Sequence, residues 1–421
     1  MKYWLLTVLI SNYLLLACSG GLKDEIEPNV LSSSTELSLF SLEYKQSVFN
    51  TSIDGNTVRI DRPIPWVVEE LYVSALILSK GAKASVKIGD ALRLEDSSIE
   101  IEVTAEDGVT TQTYSLTFER YDYQSIVEKH GRLQVEGNKI VGKHGQAVSL
   151  AGNSFFWSNE GWGGNRFYNA SVVSWLKLDW GATIVRAAMG VDEWGGYLEK
   201  QAANKTNVKK LVDAAIEEGL YVIIDWHSHH AEDYPDDAVA FFKEMAQAYA
   251  DYDNIIYEIY NEPLDVSWDD VIKPYAEKVI AAIREFDKDN LIVVGTPEWS
   301  QRVDLAAQNP ITSDSNVAYV MHFYSVHHTQ WLRDRTTAAI AAGLPIIVTE
   351  WGCLGYTQND PETMKWMEWC KENQIIHCNW AVNDKEEEWS IVKQEAPVNG
   401  VWSEQVLTQS GKLARSIIRT W

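Results

Sequence analysis

The chain has 421 residues, 46% of them hydrophobic and 23% charged, and a formal net charge of -24. The length suits one large domain with a smaller companion, and the composition is that of a globular protein. So acidic a surface argues against nucleic acid or anionic lipid as the main partner but does not repel a neutral polymer. Among 18 Trp and 19 Tyr, those outside the core are candidates for stacking on flat, apolar ligand faces.

Met1-Lys2 is a short basic start, and Tyr3 to Leu16 is almost entirely apolar. The run is too short for a comfortable membrane span and fits a secretory leader. It closes on Leu15-Leu16-Ala17-Cys18, which resembles the lipobox of bacterial lipoproteins. That resemblance implies removal of residues 1–17, lipidation of Cys18, and a lipid-anchored protein of the bacterial cell envelope, at the outer membrane or the cell surface. An ordinary signal peptide with a chance Cys is the plainer reading. Cys353, Cys370 and Cys378 leave either one pair plus a free thiol or three buried thiols, and no CxxC pair suggests zinc.

Residues 18–34 are polar and read as a tether. Over 35–122, short alternating strands are split by turn marks at Asp54-Gly55-Asn56, Gly89-Asp90 and Glu106-Asp107-Gly108. Val86-Lys87-Ile88 and Tyr114 to Phe118 alternate in period two. The pattern predicts a small all-β sandwich. Ser79-Lys80-Gly81-Ala82 and Val103 to Gly108 resemble the cadherin-like modules of bacterial surface lipoproteins, which implies a spacer. Trp66 and Tyr72 are isolated and form no aromatic row.

From 123 to 421 short apolar strands alternate with amphipathic helices. The predicted strands are Val148–Gly152, Thr183–Ala188, Tyr221–Trp226, Ile255–Tyr260, Leu291–Thr296, Val317–Phe323, Pro345–Thr349 and Ile375–Trp380. Helices are predicted over Asn207–Glu218, with Val208, Leu211, Val212, Ala215 and Ile216 on one face, and over Ala238–Tyr249. This is α/β, and eight such units predict a (β/α)8 TIM barrel. A doubly wound open sheet is the alternative, but no Gly-rich phosphate loop follows the first strand.

Barrel chemistry gathers at the C-terminal strand ends. Those ends offer Arg186, Asp225-Trp226-His227, Asn261-Glu262-Pro263, Pro297-Glu298-Trp299, His322-Phe323-Tyr324, Glu350-Trp351-Gly352 and Asn379-Trp380. Glu262 and Glu350 supply two carboxylates that only the fold can bring together. Such a pair suits glycosidic bond cleavage, one protonated and one ionised, and a negative neighbour would raise the pKa of the acid. Pro263 stiffens the turn that carries Glu262.

Asn261-Glu262-Pro263 resembles the signature of glycoside hydrolase family five. The likeness runs from about Gly131 to the C-terminus through Arg186, His227, Asn261-Glu262, His322-x-Tyr324, Glu350 and Trp380. It is strongest to bacterial endoglucanases, through Ile223 to His227, Ile292 to Pro297 with Trp299-Ser300-Gln301, and Asp384-Lys385-Glu386. The resemblance implies a retaining endo-β-1,4-glucanase with Glu262 as acid/base and Glu350 as nucleophile. Asn261 would bond the sugar 2-OH, Tyr324 and Arg186 would hold Glu350, and His227 and His322 would bind sugar hydroxyls and orient the carboxylates. Trp380 would stack under the reacting sugar, and Trp299 and Lys385 would bind flanking units; many such endoglucanases carry a His just past the first strand, where this chain has Asn153-Ser154-Phe155-Phe156-Trp157, and Trp157 is expected to line the non-reducing side. No cofactor and no metal are expected, and the partner is a β-glucan bound by a monomer.

Plainer readings stand beside these. Glu258 is expected to be a satisfied interior acid, Arg186 could be a structural ion-pair partner and Trp380 plain core, and His327-His328 and Glu386-Glu387-Glu388 read as solvated surface. The His227 to His230 run with Asp225 and Asp233 invites a metal-dependent hydrolase as a rival. Cleavage of another β-linked glycan, such as mannan or mixed-linkage glucan, and glycan binding without turnover are the others.

Overall fold

Ser47–Asp54 organises the N-terminal β domain. Its first residues pair with Leu37–Tyr44 and its last with Thr57–Ile60, so one strand serves two layers. Leu37–Tyr44 also pairs with Glu70–Leu78, and Ser98–Thr104 pairs with Thr111–Thr117 in the opposite layer. The hydrogen-bonded ribbon thereby closes over a core in which Phe40, Leu42, Leu71 and Val73 meet Val58, Ile101, Val103 and Leu116, as alternating inward residues of two packed sheets do. These coordinates are a computed structural model describing residues 31–44, 47–65, 68–95, 98–121, 125–353 and 360–421. The leader, Cys18 and Trp66 lie outside the described residues.

Two local expectations change. Val86-Lys87-Ile88 is a turn and not a strand. The Asp90 carboxylate accepts from the Lys87 N–H (3.0 Å) and Gly89 sits at φ 92, a left-handed conformation that only Gly adopts freely. At the tether end, the Ser32 N–H donates to Glu106 and the Ser34 carbonyl accepts from Ser79, so these residues pack on the β domain.

The second domain is a closed parallel barrel. Its eight strands are Ala151–Phe155, Ile184–Gly190, Tyr221–His227, Ile255–Glu258, Leu291–Val294, Val317–Val320, Ile346–Gly352 and His377–Val382, with a short extension of the sixth at Phe323–Tyr324. Pairing of the sixth with the seventh and of the eighth with the first completes the circle. Side-chain alternation then assigns every strand residue. Val185, Ala187, Val222, Ile224, Tyr257 and Val348 face the helices. Ile184, Tyr221, Ile223, Ile256, Leu291, Val293, Val320, Ile347 and Cys378 fill the lower interior. The next inward positions up the same strands are Arg186, Asp225, Glu258, Thr349 and Trp380, all buried. The barrel is therefore apolar below and largely polar at its upper rim.

Strand limits shift by up to three residues. The first strand starts at Ala151, so Asn153, Ser154 and Phe155 lie within it rather than beyond it. The eighth runs to Val382, and the fourth ladder stops at Glu258. Helix Gln201–Glu218 begins six residues before the predicted start at Asn207, and buried Asn204 holds that first turn through Ser158 and the Gly195 carbonyl. Cys353, Cys370 and Cys378 are buried free thiols.

The two domains meet around Asp179. Arg415 and Arg419, on the last helix, bind its carboxylate at 2.7–2.8 Å. Arg62 of the β domain lies 3.6 Å from it and donates to the Leu178 carbonyl.

Candidate active site

Arg186 is fully buried on the second strand and has carboxylates on three sides. Its Nε and Nη2 donate to Glu258 at 2.7 and 3.1 Å, and Nη2 also lies 3.0 Å from Asp225. Nη1 donates to Glu350 at 3.0 Å and Nη2 to the Asn261 side-chain carbonyl at 2.7 Å. A planar guanidinium suits this demand because its donors form a fixed fork. The carboxylates hold the Arg186 pKa well above its ordinary value against the cost of burial. Burial, eased by Arg186, pushes Glu258 up to about 7 and Asp225 up to about 8.

Glu350 reaches this site through a β-bulge. Val348 pairs with His377 and Trp351 with Asn379, so the seventh strand carries one extra residue there. Two consecutive side chains, Thr349 and Glu350, consequently turn away from the helices, a common use of bulges beside active sites. Glu350 Oε1 accepts from the Tyr324 hydroxyl at 2.6 Å, while Oε2 accepts from Arg186. Both donors aim the carboxylate.

Glu262 is 9% exposed at the rim. Burial raises its pKa to about 7, with Glu258 adding to the rise and His229 and Arg186 opposing it. Desolvation, rather than the negative neighbour expected from the sequence, is the larger cause. His322 lies against Glu262 with Nδ1 2.8 Å from Oε1. The Thr349 hydroxyl donates to Glu258 at 2.6 Å and so accepts from His322 Nε2–H at 2.8 Å. Burial holds the His322 pKa down to about 4. The neutral ring therefore presents Nδ1 as an acceptor toward a protonated Glu262. Both ring nitrogens are engaged, so His322 orients Glu262 and has none left for a sugar hydroxyl, contrary to half of its expected role.

His227 is different. Its Nδ1–H donates to Asp225 at 2.6 Å, which leaves Nε2 for the cleft. Burial and Arg186 keep this ring neutral, its pKa well below the usual value. Its face lies parallel to Trp380 (5.0 Å, 8°), and Trp157 meets it edge-on at 4.3 Å. Trp380 is buried, and its peptide bond to Ala381 is cis. Lys385 lies over the rings of Phe156 and Trp162 at 4.6 and 4.9 Å and pairs with Glu387 at 3.2 Å. Trp299 is 48% exposed, and its backbone N–H donates to the Pro263 carbonyl at 2.8 Å, beside Glu262. Glu298, Trp299 and Ser300 all have positive φ, a strained run that presents the indole.

The central distance is short. One oxygen each from Glu262 and Glu350 and a ring nitrogen of His322 all lie within 4.8 Å of one another. Retaining glycosidases separate their carboxyls by about 5–5.5 Å, and inverting ones by about 6.5–9.5 Å. Asp225 and His227, from the proposed His-rich metal run, are spent on each other and on Arg186. Thr349 and Trp162 carry no mark in the sequence, Asp225 stands out there only as a strand-end residue and a member of the His-rich run, and Glu258 is the satisfied interior acid expected. Strand parity with Ile223 places Asp225 inside as well. His328 is half-buried, not surface, and its Nδ1 accepts from the Tyr324 N–H at 2.8 Å.

Residues 141–386 match the cellulase family, glycosyl hydrolase family 5. The chain belongs to that family. It is 50% identical over 293 residues to endoglucanase Z of Dickeya dadantii, covering 69% of this chain and 66% of the relative. An endoglucanase of Clostridium saccharobutylicum is 40% identical, with 68% and 65% covered. The chain thus spans about two thirds of the length of the curated relatives it matches. A solved structure from Cytophaga hutchinsonii shares 47% identity at a TM-score of 0.67, covering 70% of this chain and 97% of that one. The catalytic domain of a Thermobifida fusca endoglucanase, solved as a variant with cellotetraose, shares 32% at a TM-score of 0.65, with 70% and 100% covered.

Proposed function

We propose that this chain is a retaining endo-β-1,4-glucanase. The observation that carries the reading is the pair of carboxylates within 4.8 Å, one aimed by Arg186 and Tyr324 and the other buried with a raised pKa. Glu262 gives its proton to the glycosidic oxygen while Glu350 attacks the anomeric carbon. The C–O bond breaks, the alcohol leaves, and a glycosyl ester forms on Glu350. Glu262, now a carboxylate, takes a proton from water, and that water's oxygen displaces Glu350 with net retention. Asn261 is turned by Arg186 so that its amide N–H2 remains to meet the sugar 2-OH, and His227 Nε2 accepts from a sugar hydroxyl. Trp380 carries the reacting ring, Trp157 and Lys385 the glycone side, and Trp299, next to Glu262, the leaving-group side. The cellotetraose bound by the Thermobifida relative supports a β-1,4-glucan as substrate.

Release of reducing ends from carboxymethylcellulose, but not from mannan, tests this reading, and Glu350→Ala should abolish it. Faster cleavage of mannan would move the substrate class while keeping the mechanism. Polymer binding without turnover in the wild type would end the enzymatic reading.

At the level of the cell, the lipobox-like Leu15 to Cys18 supports a lipid anchor in the bacterial envelope, with the cadherin-like β domain as a spacer and a monomeric barrel facing the polymer. Replacing Cys18 by Ala and fractionating membranes tests the anchor; unchanged membrane association would refute it.

A further inference from the structure

The aromatic surface continues beyond the residues that the reaction needs. Trp157, which meets His227 edge-on, stacks on Trp162 at 5.3 Å and 23°, so an aromatic cluster runs on from Trp380 and His227 to Trp162. Immediately before Trp162, Gly161 lies under the Trp194 ring, so closely that a Cβ there would stand 2.5 Å from the indole. Trp194 belongs to the loop after the second strand, on the catalytic end of the barrel. It is 67% exposed, the most exposed Trp among the described residues.

That exposure is paired with a braced backbone. The Asn159 amide donates to the Glu193 and Trp194 carbonyls at 3.3 and 3.2 Å, and the Gly196 N–H donates back to Glu193 at 2.7 Å. The Gly195 N–H donates to the Glu199 carboxylate at 2.9 Å. Exposing a large apolar ring gains nothing for folding, whereas a ring held in place before binding loses little entropy when a ligand covers it. A flat indole beside an existing stack suits the apolar face of a pyranose ring.

We propose that Trp194, seated on Gly161 beside the Trp157–Trp162 stack, is an outer sugar platform that makes this chain favour longer β-glucan chains. Through Gly161 and Trp162 it continues the Trp157 side of the cleft, read above as the glycone side. The inference rests on the endoglucanase reading and deepens it.

The test compares Trp194→Ala and Trp194→Phe with wild type on cellohexaose and on 4-nitrophenyl cellobioside. The ratio of kcat/KM for the long over the short substrate should fall about tenfold in Trp194→Ala, mostly through KM, and Trp194→Phe should recover much of it. An unchanged ratio, whether both activities hold or both fall together, overturns the platform. Cellohexaose calorimetry on Glu350→Ala with and without Trp194→Ala reads the platform without turnover: equal affinities overturn it, and weaker binding in the double variant supports it. A wild type inert on both substrates would sink the enzymatic reading alone, and the calorimetry would still decide the platform.

Discussion

Glu262 ties pH to activity through one proton. Its pKa of about 7, set mainly by burial, means that the acid form dominates below neutrality. The limb of kcat/KM controlled by this group should therefore be lost as pH rises through about 7. Linkage has the same sign for stability. A carboxyl raised from 4.5 to about 7 on folding contributes stability that is full below 4.5 and is lost as pH rises to about 7. Glu262→Ala should remove the basic limb of the rate profile for polymer. It should also cost polymer about 10²–10⁴-fold while sparing aryl glycosides with good leaving groups, which need little proton assistance. Equal losses on both substrates would remove Glu262 from the acid role. The carboxylates and their nearest partners were legible as strand-end residues in a family-like order. The proton chain from Glu258 through Thr349 and His322 to Glu262 was not, because it joins the fourth, sixth and seventh strands and exists only after the barrel closes.

Among the elements, Arg186 binds four strands or strand ends to one centre: Asp225 on the third, Glu258 and Asn261 on and after the fourth, and Glu350 on the seventh. Removing one partner of a buried ionic network strands the others. Arg186→Met should destabilise the barrel by about 3–5 kcal/mol, measured as a lowered denaturant midpoint, besides losing activity. Loss of activity at unchanged stability would make its role electrostatic alone. Short apolar runs between amphipathic helices made the barrel strands recognisable. Their ends were less legible. Buried polar residues such as Asn153 and Asn204 break the apolar pattern, and a bulge such as that between Val348 and Trp351 leaves no mark in composition.

At the scale of the whole molecule, Asp179 is the hinge-pin between domains. Arg415 and Arg419 reach it from within the barrel domain, and Arg62 from the β domain. Since the barrel's own arginines satisfy Asp179, deleting residues 19–121 should leave turnover of soluble carboxymethylcellulose largely intact. A collapse of soluble-substrate activity would show instead that the β domain completes the barrel. The sandwich and the barrel were each readable from strand spacing, but this joint was not, because residues so far apart in sequence carry no local pattern.

The account turns on the close approach of Glu262 and Glu350, which leaves room for a sugar carbon and none for an intervening water. Proton NMR of the first product released from a cello-oligosaccharide, recorded before mutarotation, tests it most directly. The β-anomer appearing first is the predicted result; the α-anomer appearing first would contradict it.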